Sequence, residues 1–476
     1  MPPKNIFENV PVTPPQQASN VPPVAVGGVQ TPGVTVPPPK KKFPKIFIFI
    51  GGGLALLALI LFIVSRFLGG AKSVSTGKIT WWGLWEDSSV ISPLISSYEA
   101  SHPGVKITYV MQSQQDYRER LANALAKGTG PDIFSFHNSW VPMFKNDLDA
   151  LPATVMNPAD FAKTFYPVIS SDLSYGNSIV GIPIGYDALT LYINQDIFDK
   201  SGKTAPTTWD DLRSTARTLT IKDDQGIIIQ SGVALGRTEN VDNWQDILAL
   251  LMLQNGVDLA RPTGKSAEDA LTFFTLFSTI DGVWDATLPT STQAFSAGKL
   301  AMYIAPSWRA FEIKHANPDL KFKTVPVPQL PKDSPSEPDI TYATYWAQGV
   351  WSKSPNKSAS WNFLKYLSEK DSLQTLYKNE STVRSFGEPY PRTDMATLLS
   401  ADPIVGSIIS QAPGARSWYL ASRTFDGPTG INTQISNYFA DAVNSLVLRK
   451  KSATEALETA AQGIAQVLKQ YGISVR

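Results

Sequence analysis

The sequence has no cysteine. That excludes disulfides, thiolate metal sites, cysteine catalysis and a lipid-modified cysteine. Histidine is scarce as well. His102, His137 and His315 lie far apart, without the His-Glu-x-x-His spacing that would hold a metal on one helix face. No phosphate-cradling Gly-x-x-x-x-Gly-Lys-Ser/Thr loop occurs, and no Gly-x-Ser-x-Gly nucleophile turn. Excess charge of one sign is missing too. With 42 Lys and Arg against 41 Asp and Glu, there is no electrostatic case for nucleic acid. Nothing in the remaining residues calls for a cofactor, a metal or a catalytic group, and no convincing internal repeat is present. Aromatic residues, by contrast, are plentiful, with 12 Trp and 16 Tyr. Aromatics that cannot all be buried often face ligands, although a large core residue is the ordinary role of any single one.

The chain of 476 residues predicts two or three domain-sized units. Residues 1–45 hold proline clusters such as Val36-Pro-Pro-Pro39, which favour extended, solvated chain over a packed core. The run Ile46–Val64 carries no charge and no proline. As a helix it spans about 28 Å, close to the hydrocarbon thickness of a bilayer. A transmembrane anchor is therefore expected over 46–68. Lys40, Lys41, Lys42 and Lys45 precede it, which places the amino terminus in the cytoplasm and the bulk of the chain outside a cell membrane crossed once. A cleaved signal peptide is the rival, with an unusually long leader. Residues 69–77 read as a polar linker.

From Lys78 the pattern becomes strand, helix, strand, helix, strand. Lys78–Asp87 gives the first strand and the loop leaving its carboxyl end. Val90, Ile91, Leu94, Ile95 and Tyr98 form a helix face that stops at His102-Pro103-Gly104. Val105–Val110 alternates, Tyr117, Leu121 and Leu125 line a second helix, and Ile133–Phe136 gives a third strand. This order predicts a parallel sheet covered by helices. Further on, Ala188–Ile193 reads as a strand, Thr208 as a helix cap, and Ser452-Ala-Thr-Glu455 as a capping box opening the last helix.

Several motifs fall in a shared order. They are His102-Pro103-Gly104, Lys127-Gly-Thr-Gly-Pro-Asp132, Gly181-Ile182-Pro183, Tyr192-Ile193-Asn194, Pro206-Thr-Thr-Trp209, Ala294-Phe-Ser-Ala-Gly298-Lys-Leu-Ala-Met302 with Trp308 after it, and Trp361-Asn-Phe-Leu364. In this order and spacing, residues 78–476 resemble the extracellular solute-binding proteins of family 1, the maltose-binding-protein-like carbohydrate receptors of ABC importers. The resemblance implies an α/β, two-lobed periplasmic-binding-protein-like fold of type II, each lobe a helix-covered sheet. Lobe one would take about 78–187 and 349–398, and lobe two about 188–348 and 399–476. Crossovers would fall near Asp187 and Tyr345–Val350. A sugar ligand, permease subunits of an ABC transporter and, through the anchor, the lipid bilayer are the implied partners.

A sugar offers hydroxyls at its rim and C–H patches on its faces. Its site needs flat aromatic rings and bidentate hydrogen-bonding groups. Strand ends that face the crevice supply Trp85, Glu86 and Asp87 after the first strand, and His137 and Asn138 after the third. Of the alternating pair Trp81 and Trp82, Trp82 is taken as the cleft-facing ring. The resemblance adds further positions. Trp308 stands where maltose-binding members have a stacking tryptophan, Asp187 where they have a sugar-contacting glutamate, and Phe136 where they have a ligand tryptophan. Arg309, Trp244, Tyr345, Trp346 and Arg384 complete the candidate set. Asp132 reads as a structural brace. A surface glycoside hydrolase using Glu86 and Asp187 as paired carboxylates is the enzymatic alternative.

Overall fold

The computed structural model describes residues 77–474, apart from 333, 335 and 336. The expected tail, anchor and most of the linker lie outside the described residues. Among the described residues, no helix is long and apolar enough to cross a membrane.

Two five-stranded sheets organise the fold. The first begins with β1 (Gly77–Gly83). Helix α1 (Ser88–Ser101) follows, capped by Asp87, whose carboxylate accepts from the Ser89 amide. Next come β2 (Val105–Met111), α2 (Tyr117–Ala126) and β3 (Ile133–His137). Strand β1 pairs in parallel with both β2 and β3, as the alternation of strand and helix requires. Asp132 fastens the start of β3. It accepts from the Thr80 amide at 2.8 Å and from the Asn356 side chain at 3.1 Å.

The chain leaves this sheet after β4 (Ile182–Pro183) and enters the second at β5 (Thr190–Asn194). Asn194 caps the next helix, which closes at Gly202 in the left-handed region, φ 63°, a conformation glycine adopts without steric penalty. Helix α3 (Trp209–Leu219) starts on Thr208, whose hydroxyl accepts from the Asp211 amide. Then come β6 (Ile221–Lys222), β7 (Ile228–Val233), α4 (Trp244–Gln254), α5 (Lys265–Thr279) and β8 (Leu300–Ala305). Helix α6 (Arg309–Ala316) and β9 (Phe322–Val325) complete this part. The strand order is β9-β5-β8-β7-β6. All six residues of β8 are buried, the mark of a strand covered on both faces.

The chain then returns to the first sheet as β10 (Trp346–Val350), antiparallel to both β3 and β4. The return is complete by Trp346, slightly before the expected boundary at 349. Helices α7 (Lys357–Leu367) and α8 (Lys370–Glu380) cover the first lobe. Helices α9 (Ile431–Val447) and α10 (Ala453–Gln470) pack on the second. Helix α10 opens with the expected capping box at Ser452 and buries Ala456, Leu457, Ala460, Ile464, Val467 and Leu468.

Between the lobes, three extended segments run side by side. Leu189 donates to the Tyr342 carbonyl at 2.8 Å, and Thr344 donates to the Asp187 carbonyl at 3.0 Å. A third passage joins them: Ala343 donates to Arg416 and Arg416 donates to Thr341, at 2.8 and 2.9 Å. The two-lobed architecture is thus built around a narrow three-segment hinge.

Candidate functional site

A cavity of about 360 Å³ lies between the lobes, directly against the hinge. The ends of β1 and β10, the loop after α8, the β8–α6 turn and the chain near 422–425 all reach it. This is the crevice at the carboxyl ends of strands where α/β sheets receive ligands.

One wall is aromatic. Trp85 meets Trp346 edge-on at 5.3 Å between ring centroids, and Phe425 of the other lobe at 5.8 Å. Trp346 is braced in turn by Trp140 and His137, at 5.2 and 5.3 Å. At the far side, Phe311 of α6 contacts Phe386 of the first lobe at 4.4 Å. Together with the bond from Asn432 to Ser139, 2.7 Å long, these contacts bring the lobes together over the cavity. Trp308 lines it too. The guanidinium carbons of Arg309 and Arg423 stand 4.4 and 4.9 Å from its ring centroid, within cation–π range.

The polar wall is dominated by Arg384. Its guanidinium reaches Glu86 at 3.2 Å, Glu380 at 3.1 Å and Glu388 at 3.3 Å. Burial pushes the Glu86 carboxyl above its ordinary value, against the lowering pull of Arg384. Burial also raises Glu380 strongly, and the neighbouring Glu86 raises it further.

Asp187 sits where the first crossover meets the β8–α6 turn. It is 4% exposed. Its carboxylate accepts from the Ala188 amide at 2.7 Å, the Ser307 amide at 3.0 Å and the Ser307 hydroxyl at 2.8 Å. Burial raises its pKa to about 7, and Glu388 adds to the rise, against the lowering effect of these bonds. Asp187 therefore fixes Ser307, the residue before Trp308. Its oxygens are already engaged by the protein, so it presents no free carboxylate to pair with Glu86.

Of the residues singled out in the sequence, Trp85, Glu86, Asp187, Trp308, Tyr345, Trp346 and Arg384 come together around the cavity. The others do not line it. Trp82 is half-buried on the opposite side of β1, and Trp81 takes the cavity position instead. The Trp81 indole donates to the Gln348 side-chain oxygen at 2.9 Å. Asp87 is spent as the exposed cap of α1. Phe136 is fully buried in the first-lobe core. His137 is buried with its ring nitrogens on Ser139 and Thr344, at 2.7 and 3.0 Å, and burial lowers its pKa to about 3. Asn138 donates to Asp172 and accepts from the Tyr345 amide. Arg309 is 1% exposed and ion-paired with Glu312 at 2.6 Å. Trp244 borders a separate small pocket.

Sequence reasoning missed Tyr109, Phe311, Glu312, Glu380, Glu388, Arg423 and Phe425. Most lie in loops or on helices of the later chain, where no periodic signal marks a cleft. The four-residue spacing Glu380, Arg384, Glu388 would read as a charged helix face, but only Glu380 is helical; Arg384 and Glu388 lie in the loop after α8.

Two lobes, three crossings and an aromatic-and-carboxylate cavity at the hinge define a two-lobed binding fold. The chain belongs to the bacterial extracellular solute-binding proteins, whose family model matches residues 94–400. The maltotriose-binding protein of Pyrococcus abyssi (strain GE5 / Orsay) is 23% identical over 61% of this chain and 62% of its own length. A cyclic alpha-maltosyl-1,6-maltose binding protein from Arthrobacter globiformis superimposes with a TM-score of 0.67 at 20% identity. It covers 83% of this chain and 100% of its own. An ABC transporter solute-binding protein from Thermotoga lettingae, solved with alpha-D-tagatose, gives a TM-score of 0.63 at 22% identity over 83% and 100% of the two chains.

Proposed function

We propose that this protein is the carbohydrate receptor of an ABC importer, held at the outer face of the cell membrane by its N-terminal helix. It captures a sugar or oligosaccharide between the lobes, closes about the hinge and presents the sugar to permease subunits, without altering it. The observation that carries this reading is the composition of the hinge cavity. Trp85, Trp346, Trp308 and Phe425 offer flat apolar faces, while Glu86, Arg384, Glu388 and Arg423 offer paired acceptors and donors. That combination matches a sugar's C–H faces and hydroxyl rim. Relatives that bind maltotriose, cyclic maltosyl-maltose and tagatose support the same class.

The geometry supports closure. A ligand touching both walls binds better when the lobes are together, and so shifts the population toward the closed state. A thermal-shift screen over mono- and oligosaccharides tests the reading, because a ligand bound only by the folded chain raises its melting temperature. At least one sugar is expected to raise it dose-dependently. A flat response across neutral, charged and oligomeric sugars would count against the carbohydrate class.

A further inference from the structure

The two walls of the cavity differ in charge. On the second lobe the cations are matched: Arg309 and Arg423 meet Glu312 at 2.6 and 3.3 Å, and Asp242 lies 3.7 Å from Arg309. On the first lobe, Glu86, Glu380 and Glu388 share the single guanidinium of Arg384. Asp187 adds a further carboxyl close to Glu388. Tyr377 and Tyr390 face the same cluster without supplying a cation. Glu380 is 1% exposed and lines the cavity. One of its oxygens accepts from the Glu388 amide at 2.6 Å. The other, Oε1, is buried and receives no hydrogen bond.

We propose that this carboxylate-rich wall receives a protonated amine, so that the ligand is an amino sugar or an oligosaccharide containing one. The inference rests on the carbohydrate reading above and narrows it. A buried carboxyl with an unfilled acceptor is costly unless something donates to it. With no ligand bound, Glu86 and Glu380, which stand side by side, hold one proton between them, since two adjacent carboxylates cannot both ionise cheaply. A ligand ammonium takes the place of the proton shared by Glu86 and Glu380, and that proton leaves to solvent, so charge is conserved. Among the described residues no group of His, Asp and Glu is arranged to hold a metal ion. An organic cation is the species that fits.

The test is a calorimetric titration of the full chain with glucosamine, galactosamine and β-1,4 glucosamine oligomers. Glucose, galactose, cello-oligomers and the N-acetylated forms are run beside them, in two buffers of different ionisation heat. The amino sugars are expected to bind about tenfold or more tighter than their neutral counterparts. They should release protons to the buffer, and N-acetylation should abolish the preference. Glu380→Gln keeps the shape and the bond from the Glu388 amide, and is expected to pull the amine-to-neutral affinity ratio toward one. Should that variant fail to fold, the wild-type ratio and the proton release decide alone. Neutral sugars bound as tightly as amino sugars, with no proton release, overturn this inference and leave the carbohydrate reading standing. Binding by neither set overturns both.

Discussion

Burial and hydrogen bonding pull the Asp187 carboxyl in opposite directions, and burial wins, leaving a pKa near 7. A pKa raised on folding adds stability that is full below about pH 4 and is lost as pH rises through about 7. Urea unfolding of wild type and Asp187→Asn from pH 5 to 8 should show this. The stability advantage of wild type is expected to shrink by on the order of 1–3 kcal/mol as pH rises. An advantage that grew with pH would mean that the carboxylate is the favoured form. Trp308 makes a different prediction. It is only half-buried, so Trp308→Ala should weaken sugar binding about ten- to a hundredfold with a modest change in melting temperature. If the variant unfolds while the folded fraction keeps its affinity, Trp308 is a packing residue and the cavity wall lies elsewhere.

Local chemistry decides most of the elements, and their ends were legible for that reason. Thr208 and Ser452 each cap a helix with their own side chain, so those boundaries are written in one residue, whereas Asp87, taken from the sequence as a ligand contact, is the cap of α1. The hinge was only half legible. Gly181-Ile182-Pro183 and the apolar run after Asp187 marked the first crossing. The third, at Ala415–Arg416, is held by isolated backbone bonds to Thr341 and Ala343 and has no periodicity to read. The face of β1 was misread for a related reason. Alternation says that Trp81 and Trp82 point apart, but not which side the second lobe covers. Glu380 and Glu388 were missed because their importance comes from Arg384 and Glu86 meeting them in space. Packing between elements is equally exacting. A Cβ on Gly232 of β7 would stand 2.0 Å from the Ala216 carbonyl of α3. Gly232→Ala is therefore expected to destabilise the second lobe by about 1–3 kcal/mol, read as a lower midpoint in urea. An unchanged midpoint would show that helix and strand can part without cost.

For the whole molecule, the proposed receptor role requires the binding domain to stay at a membrane, and the uncharged run Ile46–Val64 behind a lysine cluster is the segment proposed to hold it there. Membrane fractionation with protease protection should find the intact chain in the membrane with its amino tail shielded inside the cell. Recovery of a soluble chain beginning after residue 65 would point to cleavage instead. Capture without chemistry is what separates such a receptor from a hydrolase. It is tested most directly by calorimetric titration of the intact protein with the sugar that gives the largest thermal shift. Binding in one hinge cavity predicts a saturating isotherm with one site per chain and heat that returns to baseline after each injection. Heat that continues after injection and scales with sugar consumed would mean turnover, and would contradict the receptor account in favour of a hydrolase.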